Sequence, residues 1–216
     1  MMNALAISDI VVPFIYSPRV RERFSSVKLV ISCGDMPYSY QDYLVSSLDV
    51  PLYFVRGNHD KELEYDSAGA RSAPGGGIDL HRRAVNYQGI LMAGVEGCLR
   101  YRDGPYQYSQ YEMWYNVLSL TPRLILNRMI YGRYLDVFVT HAPPRGIHDM
   151  DDLTHQGIDA FRWFIKKFRP SYHLHGHIHV IKPGTITETL YDRTKVVNVY
   201  GFREIPLGIE DKVSEP

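Results

Sequence analysis

Short runs of apolar, β-favouring residues divide the chain, at 5–7, 27–32, 52–55, 90–95, 135–140, 172–174 and 196–200. Continuous apolar runs of this length suit strands buried on both faces. Between several of them, residues 20–26, 40–48 and 158–168 carry helical spacing, and Phe161, Phe164, Ile165 and Phe168 make one apolar stripe expected to face the core. The alternation predicts a layered α/β chain with helices outside the sheet. The residues at the ends of the runs constrain it further: Asp9, Gly34-Asp35, Gly57-Asn58-His59-Asp60, His141, and His175-Gly176-His177-Ile178-His179 each stand just beyond a predicted strand. The carboxyl ends of strands form the ligand crevice of an open α/β sheet, so five distant segments are expected to deliver their polar side chains to one place.

Charge narrows the chemistry. Lys and Arg total 24 against 24 Asp and Glu, so no global basic field gathers nucleic acid, and a nuclease that tracks a polynucleotide is not expected. Anion recognition must be local. No window approaches the roughly 18 to 20 apolar residues of a membrane span. Cys33 and Cys98 cannot supply a disulfide framework. Met1 runs into Asn3 to Asp9 with no basic leader region, and a cytoplasmic location is expected. Neither repeat nor linker divides residues 1–216, which are read as one domain.

Nine histidines in a chain of 216 residues invite a search for metal ligands. Carboxylates, an amide oxygen and neutral imidazoles form a borderline-hard shell suited to Mn²⁺, Fe or Zn²⁺. A carboxylate such as Asp35 can bridge two divalent metal ions about 3.5–4 Å apart, a clamp that binds phosphoryl oxygens and acidifies a water. His59, between Asn58 and Asp60, is the candidate general acid for a departing alkoxide.

Asp9, Gly34-Asp35, Gly57-Asn58-His59-Asp60, Thr140-His141-Ala142-Pro143-Pro144 and Gly176-His177-Ile178-His179 together resemble the calcineurin-like metallophosphoesterase family. His141 to Gly146, read on through His175, is similar to the branch of small phosphodiesterases that includes the metallophosphoesterase-domain-containing proteins. The resemblance implies a metallophosphoesterase-type four-layer sandwich, two mixed β-sheets flanked by helices. It implies that Asp9, Asp35 and His179 hold a first divalent metal and that Asp35, Asn58, His141 and His177 hold a second. It also implies phosphodiester hydrolysis by a metal-activated hydroxide, with His59 as acid and a small, nucleotide-like phosphoester as substrate. The chain departs from the family at its first motif, Asp-x-His, where it reads Asp9-Ile10-Val11. Valine cannot bind a metal, so the first site is expected to be weakened. The alternative is a weakly active or non-catalytic phosphate- or nucleotide-binding relative.

Arg56 and Arg145 are candidate holders of non-bridging oxygens. His173, His175, His177 and His179 alternate, and an extended strand would project all four to one face. His173 is read as structural and His175 as orienting another ligand, while His148 and His155 fall in the loop beyond the Pro-Pro turn. Seven tyrosines between Tyr101 and Tyr134 mark a helical excursion over 101–134, with Tyr111, Trp114, Tyr115 and Leu118 as a stripe for packing or a homo-oligomer contact. Pro122 is expected to end or kink that helix. Residues 69–77 read as a mobile loop, and Cys33 as a buried apolar residue.

Overall fold

The computed structural model describes residues 2–67 and 69–208. In chain order the strands are β1 (Met2–Ser8), β2 (Val27–Ser32), β3 (Leu52–Phe54), β4 (Glu64–Asp66), β5 (Gly69–Arg71), β6 (Ile78–Asp79), β7 (Ala84–Tyr87), β8 (Ile90–Val95), β9 (Cys98–Leu99), β10 (Gln107–Tyr108), β11 (Val137–Thr140), β12 (Tyr172–His175), β13 (Glu188–Tyr191), β14 (Thr194–Asn198) and β15 (Gly201–Leu207). The helices are α1 (Val20–Arg23), α2 (Tyr38–Leu48), α3 (Gln110–Ser119), α4 (Thr121–Tyr131) and α5 (Asp159–Phe168). Of the two large sheets one runs β15-β1-β2-β3-β6 and the other β13-β14-β12-β11-β8-β7, while β9 with β10 and β4 with β5 form two-stranded ribbons.

Alternation along the strands explains why the sheets stack. Ala4, Ala6, Leu29 and Ile31 point to one side and meet Met92, Val137, Val139 and Leu174 of the second sheet, forming the central core. The intervening residues Leu5, Ile7 and Val30 point outward onto Val20, Phe24, Tyr40 and Leu44 of the α1–α2 region. On the far side Leu91, Ala93 and Phe138 take the apolar faces of α3, α4 and α5, with Phe161 and Phe164 packed against Phe138. Two apolar faces per sheet thus give helix, sheet, sheet, helix: the expected four-layer sandwich.

Several local expectations are corrected. Residues 20–26 yield only the single turn of α1. The helix does end ahead of Pro122, with α3 stopping at Ser119, but the chain turns at once into a second helix, α4, whose first turn holds Pro122, where its missing N–H costs nothing. Ser109 and Glu112 form a reciprocal capping box that starts α3. That start turns Met113 and Val117 to the core and leaves Tyr111, Tyr115 and Leu118 exposed, so only Trp114 of the predicted stripe packs, against Trp163. The run 69–77 is not all loop, since Gly69–Arg71 pairs antiparallel with Glu64–Asp66. Cys33 is buried as expected.

Candidate functional site

β1, β2 and β3 are parallel neighbours in one sheet, as are β11 and β12 in the other. Their carboxyl ends lie at one edge of the sandwich. The first sheet delivers Asp9, Asp35 and Asn58; the second delivers His141 and His177. Hydrogen bonds stitch the two edges together: His141 Nδ1 donates to Cys33 O at 2.8 Å, and His177 N donates to the Asp9 carboxylate at 2.9 Å. Asp9, Asp35 and His177 all sit at left-handed φ, 68°, 57° and 66°. Side chains held this way at strand ends turn out of the strand path toward the crevice, a strained arrangement typical of functional sites.

The ring nitrogens fix their own protonation. Cys33 O and Thr154 O only accept, so His141 Nδ1 and His177 Nε2 carry hydrogens. The opposite nitrogens, His141 Nε2 and His177 Nδ1, face each other at 3.2 Å. His141 Nε2 also lies 3.0 Å from Asn58 Oδ1 and 3.3 Å from Asp35 Oδ2. Asn58 presents its oxygen because its amide nitrogen donates to Tyr101 Oη at 3.0 Å. Asn58 Oδ1, Asp35 Oδ2 and His177 Nδ1 therefore each lie within 3.3 Å of His141 Nε2, a set of electron-pair donors of the kind a divalent cation takes. Ligand atoms of Asp9, Asp35 and His141 all lie within 4.8 Å of one another.

Electrostatics agree. Burial alone would lower the His141 pKa, but Asp35 beside it raises it to about 9. Burial would raise Asp35, yet His141 and two hydrogen bonds hold it at about 2. Burial pushes Asp9 above the ordinary carboxylate value, while burial and neighbouring His141 hold His177 down at about 3.

The remaining predicted residues fall at the rim or outside. His59 is exposed, and its backbone N–H donates to Asp35 Oδ1 at 2.7 Å. His179 is half exposed, with Nε2 3.9 Å from Asp9 Oδ1 and its ring against Tyr200. Val11 is 37% exposed. The Arg56 guanidinium is occupied by Asp79, Glu96 at 3.6 Å and Ser72 O at 2.9 Å, which makes it a support beneath the site. Arg145 is looser, 3.9 Å from Asp149.

β12 stops at His175 and His177 takes a left-handed turn, so the four alternating histidines do not share one strand face. His173 bonds Thr140 Oγ1 in the core. His175 bonds Gly176 O and His148, which continues to Thr189; it orients no candidate ligand side chain among the described contacts. His155 pairs with Asp152. Two contributors escaped the sequence reading. Tyr101 lies 43 residues from Asn58 and has no local signal. Asp60, seen only as a neighbour of His59, accepts from the backbone N–H of Asp35, Met36 and Gly57 and so holds two of the ligand loops together.

The sequence pattern of calcineurin-like phosphoesterases matches residues 2–181. No curated protein matches the chain. Among solved structures, TT1561 of Thermus thermophilus is 17% identical over 93% of this chain and 89% of its own, with a TM-score of 0.61. GAP50, the anchor in the inner membrane complex of Plasmodium, is 11% identical over 92% of this chain and 71% of its own, with a TM-score of 0.53. At these identities the likeness is one of fold.

Proposed function

The chain belongs to the calcineurin-like phosphoesterase family, and from that premise we propose that it is a metal-dependent phosphoesterase acting on small phosphodiesters. The observation that carries the reading is the gathering of Asn58 Oδ1, His177 Nδ1 and Asp35 Oδ2 within 3.3 Å of His141 Nε2. These four would hold one divalent cation, with Asp9, Asp35 and His179 holding another, Mn, Fe or Zn. When bound, the two cations would polarise phosphoryl oxygens and bring the pKa of an intervening water toward neutrality. Asp9 and Asp35 leave such a pair with a charge of about +2, matched to a diester monoanion. His59, placed by its backbone bond to Asp35 with its ring outside the ligand cluster, delivers a proton to the leaving oxygen. Arg145 is the rim cation for a non-bridging oxygen.

The leaving group tests His59. On thymidine 5′-(methyl phosphate), whose alkoxides need protonation, His59→Ala should lower turnover about 10²–10³-fold. On thymidine 5′-(p-nitrophenyl phosphate), whose nitrophenolate departs unaided, the loss should be far smaller, with metal content unchanged in both assays. Equal losses would remove His59 from the acid role. Manganese titration separates catalysis from the binding-only alternative that Val11 raises: turnover should climb with the second equivalent of Mn²⁺, whereas binding without turnover at any loading would favour the binder.

Tyr101→Phe tests the cluster itself. Losing the hydroxyl frees the Asn58 amide to turn its nitrogen toward the cation, and metal affinity by titration calorimetry should fall about tenfold. Unchanged affinity would show that Asn58 needs no such anchor.

A further inference from the structure

Beside the ligand cluster a cleft of about 570 Å³ opens from Asp35 and His59 past Pro37 to Lys61, Leu63 and Tyr65. We propose that this cleft receives the departing alcohol and selects alcohols with a flat, largely apolar body of the nucleoside class, Leu63 and Tyr65 being the specificity-determining side chains. The inference rests on the phosphodiesterase reading and adds to it which half of the substrate lies where.

Position comes first. A general acid protonates only an oxygen within hydrogen-bond reach, so the departing oxygen lies at His59. The rest of that alcohol then extends along the cleft His59 heads. Size comes second, because the volume falls within the span of small-molecule sites and far exceeds what a methyl group or a bare phosphate fills.

The lining gives the chemistry. Beyond Asp35 at the metal-ligand end, two further carboxylates reach the cleft wall, and both are turned into the protein. Asp60 accepts three backbone N–H groups, and Glu64 accepts the Tyr38 N–H at 3.2 and 3.3 Å with its two oxygens. They form no cation site facing the occupant. What remains for a ligand is the Pro37 ring, Leu63 at 47% exposure and Tyr65 at 78%. Tyr65 stands on the β4–β5 pair and has no aromatic neighbour among the described residues. An exposed tyrosine and an exposed leucine lining the same cleft, neither with a partner among the described residues, offer a stacking face and an apolar floor, the surface on which a base settles without sequence-type hydrogen bonding. Lys61, exposed and paired with no described carboxylate, also lines the cleft and supplies a cation for polar oxygens of the sugar.

Thymidine 5′-(methyl phosphate) reports the orientation directly. Water attacks phosphorus and one P–O ester bond breaks. The proton from His59 goes to the departing oxygen, giving either thymidine and methyl phosphate or methanol and thymidine monophosphate. Both alcohols are primary and comparably poor leaving groups, so the chemistry alone leaves the two routes near balance. The Mn²⁺-loaded protein should yield thymidine and methyl phosphate in about tenfold excess, read by ³¹P resonance. Tyr65→Ala and Leu63→Ala, both at exposed positions, should return the ratio toward even by about the weight of a lost stacking contact. Thymidine alone requires no metal and should shift the Leu63 methyl resonances of the full chain. A balanced ratio, or an excess of thymidine monophosphate, would overturn the proposal and leave the phosphodiesterase reading standing. Failure to cleave either bond with metal bound would sink that reading instead. Absence of any shift at Leu63 with millimolar thymidine would overturn the proposal whether or not the diester is cleaved.

Discussion

Replacing Asp35 with asparagine should strip the protein of its divalent metal and lower turnover by about 10³-fold or more while leaving the fold intact. Asparagine is the one uncharged residue that suits this place. Asp35 sits at φ 57°, a left-handed conformation that asparagine adopts at least as readily as aspartate. The amide oxygen can still accept the His59 N–H, which now reaches Oδ1 at 2.7 Å. Only the charge goes. That charge is present throughout the working range, since neighbouring His141 outweighs burial and holds the carboxyl at about 2, below its ordinary 3.8. The stabilisation from the pair is therefore full between about pH 4 and His141's ordinary 6.5, fading as pH falls toward 2 and as it rises through about 9. Without Asp35, His141 loses the main influence lifting its pKa to about 9, and the cluster loses the only carboxylate shared by both proposed cations. Several kcal/mol of transition-state electrostatics disappear with it, each 1.36 kcal/mol being about tenfold in rate. Elemental analysis after gel filtration, with circular dichroism as the fold control, reads the result. A variant that keeps its full metal complement would take Asp35 out of the centre.

The edge carrying this cluster was legible because β1, β2, β3 and β11 are apolar on both faces and end abruptly. Leu5 and Ile7 serve one layer while Ala4 and Ala6 serve another, so Asp9 cannot belong to either core. The same reasoning places Asp35, Asn58 and His141. It failed where a backbone turn, not a side-chain period, decides direction. Gly176 breaks the alternation after His175: a Cβ there would lie 1.8 Å from Ser8 Oγ, so only glycine lets β12 close against β1. The period of two then lapses, and His175 faces His148. Edge strands β13 and β15 were also missed or blurred. Glu188, Thr189, Arg203 and Glu204 dilute their apolar signal, and an edge position asks for just such dilution. Arg56 reads in sequence as a free cation beside Gly57. Its engagement by Asp79 depends on β3 lying next to β6, and that by Glu96 on the end of β8 in the second sheet, which no local pattern encodes.

Gly57→Ala should damage the centre nearly as severely as losing Asp35, by a steric route. A Cβ at Gly57 would lie 2.1 Å from Asp35 Oδ1 and 2.6 Å from His141 Cε1. Neither neighbour can retreat cheaply. Asp35 is pinned by the His59 N–H, and the fully buried His141 ring is anchored to Cys33 O. The methyl group must displace one of them, or push Gly57 N away from Asp60, whose carboxylate it reaches at 2.7 Å. Overpacking of this kind costs about 1–3 kcal/mol, and metal affinity should drop about 100-fold because two ligands move together. Gly75→Ala supplies the control. Its added Cβ would meet nothing closer than Asp42 Oδ1 at 3.5 Å, so its melting temperature and metal binding should match the parent. If Gly57→Ala instead melts and binds metal like the Gly75 variant, Asp35 and His141 have slack that the distances deny them. The tight seating of the ligands against the third strand's loop would then not be what shapes the centre. The expected outcome ties the chemistry to the fold, because the absence of a side chain at one strand end lets two sheets bring carboxylate and imidazole within reach of a single ion.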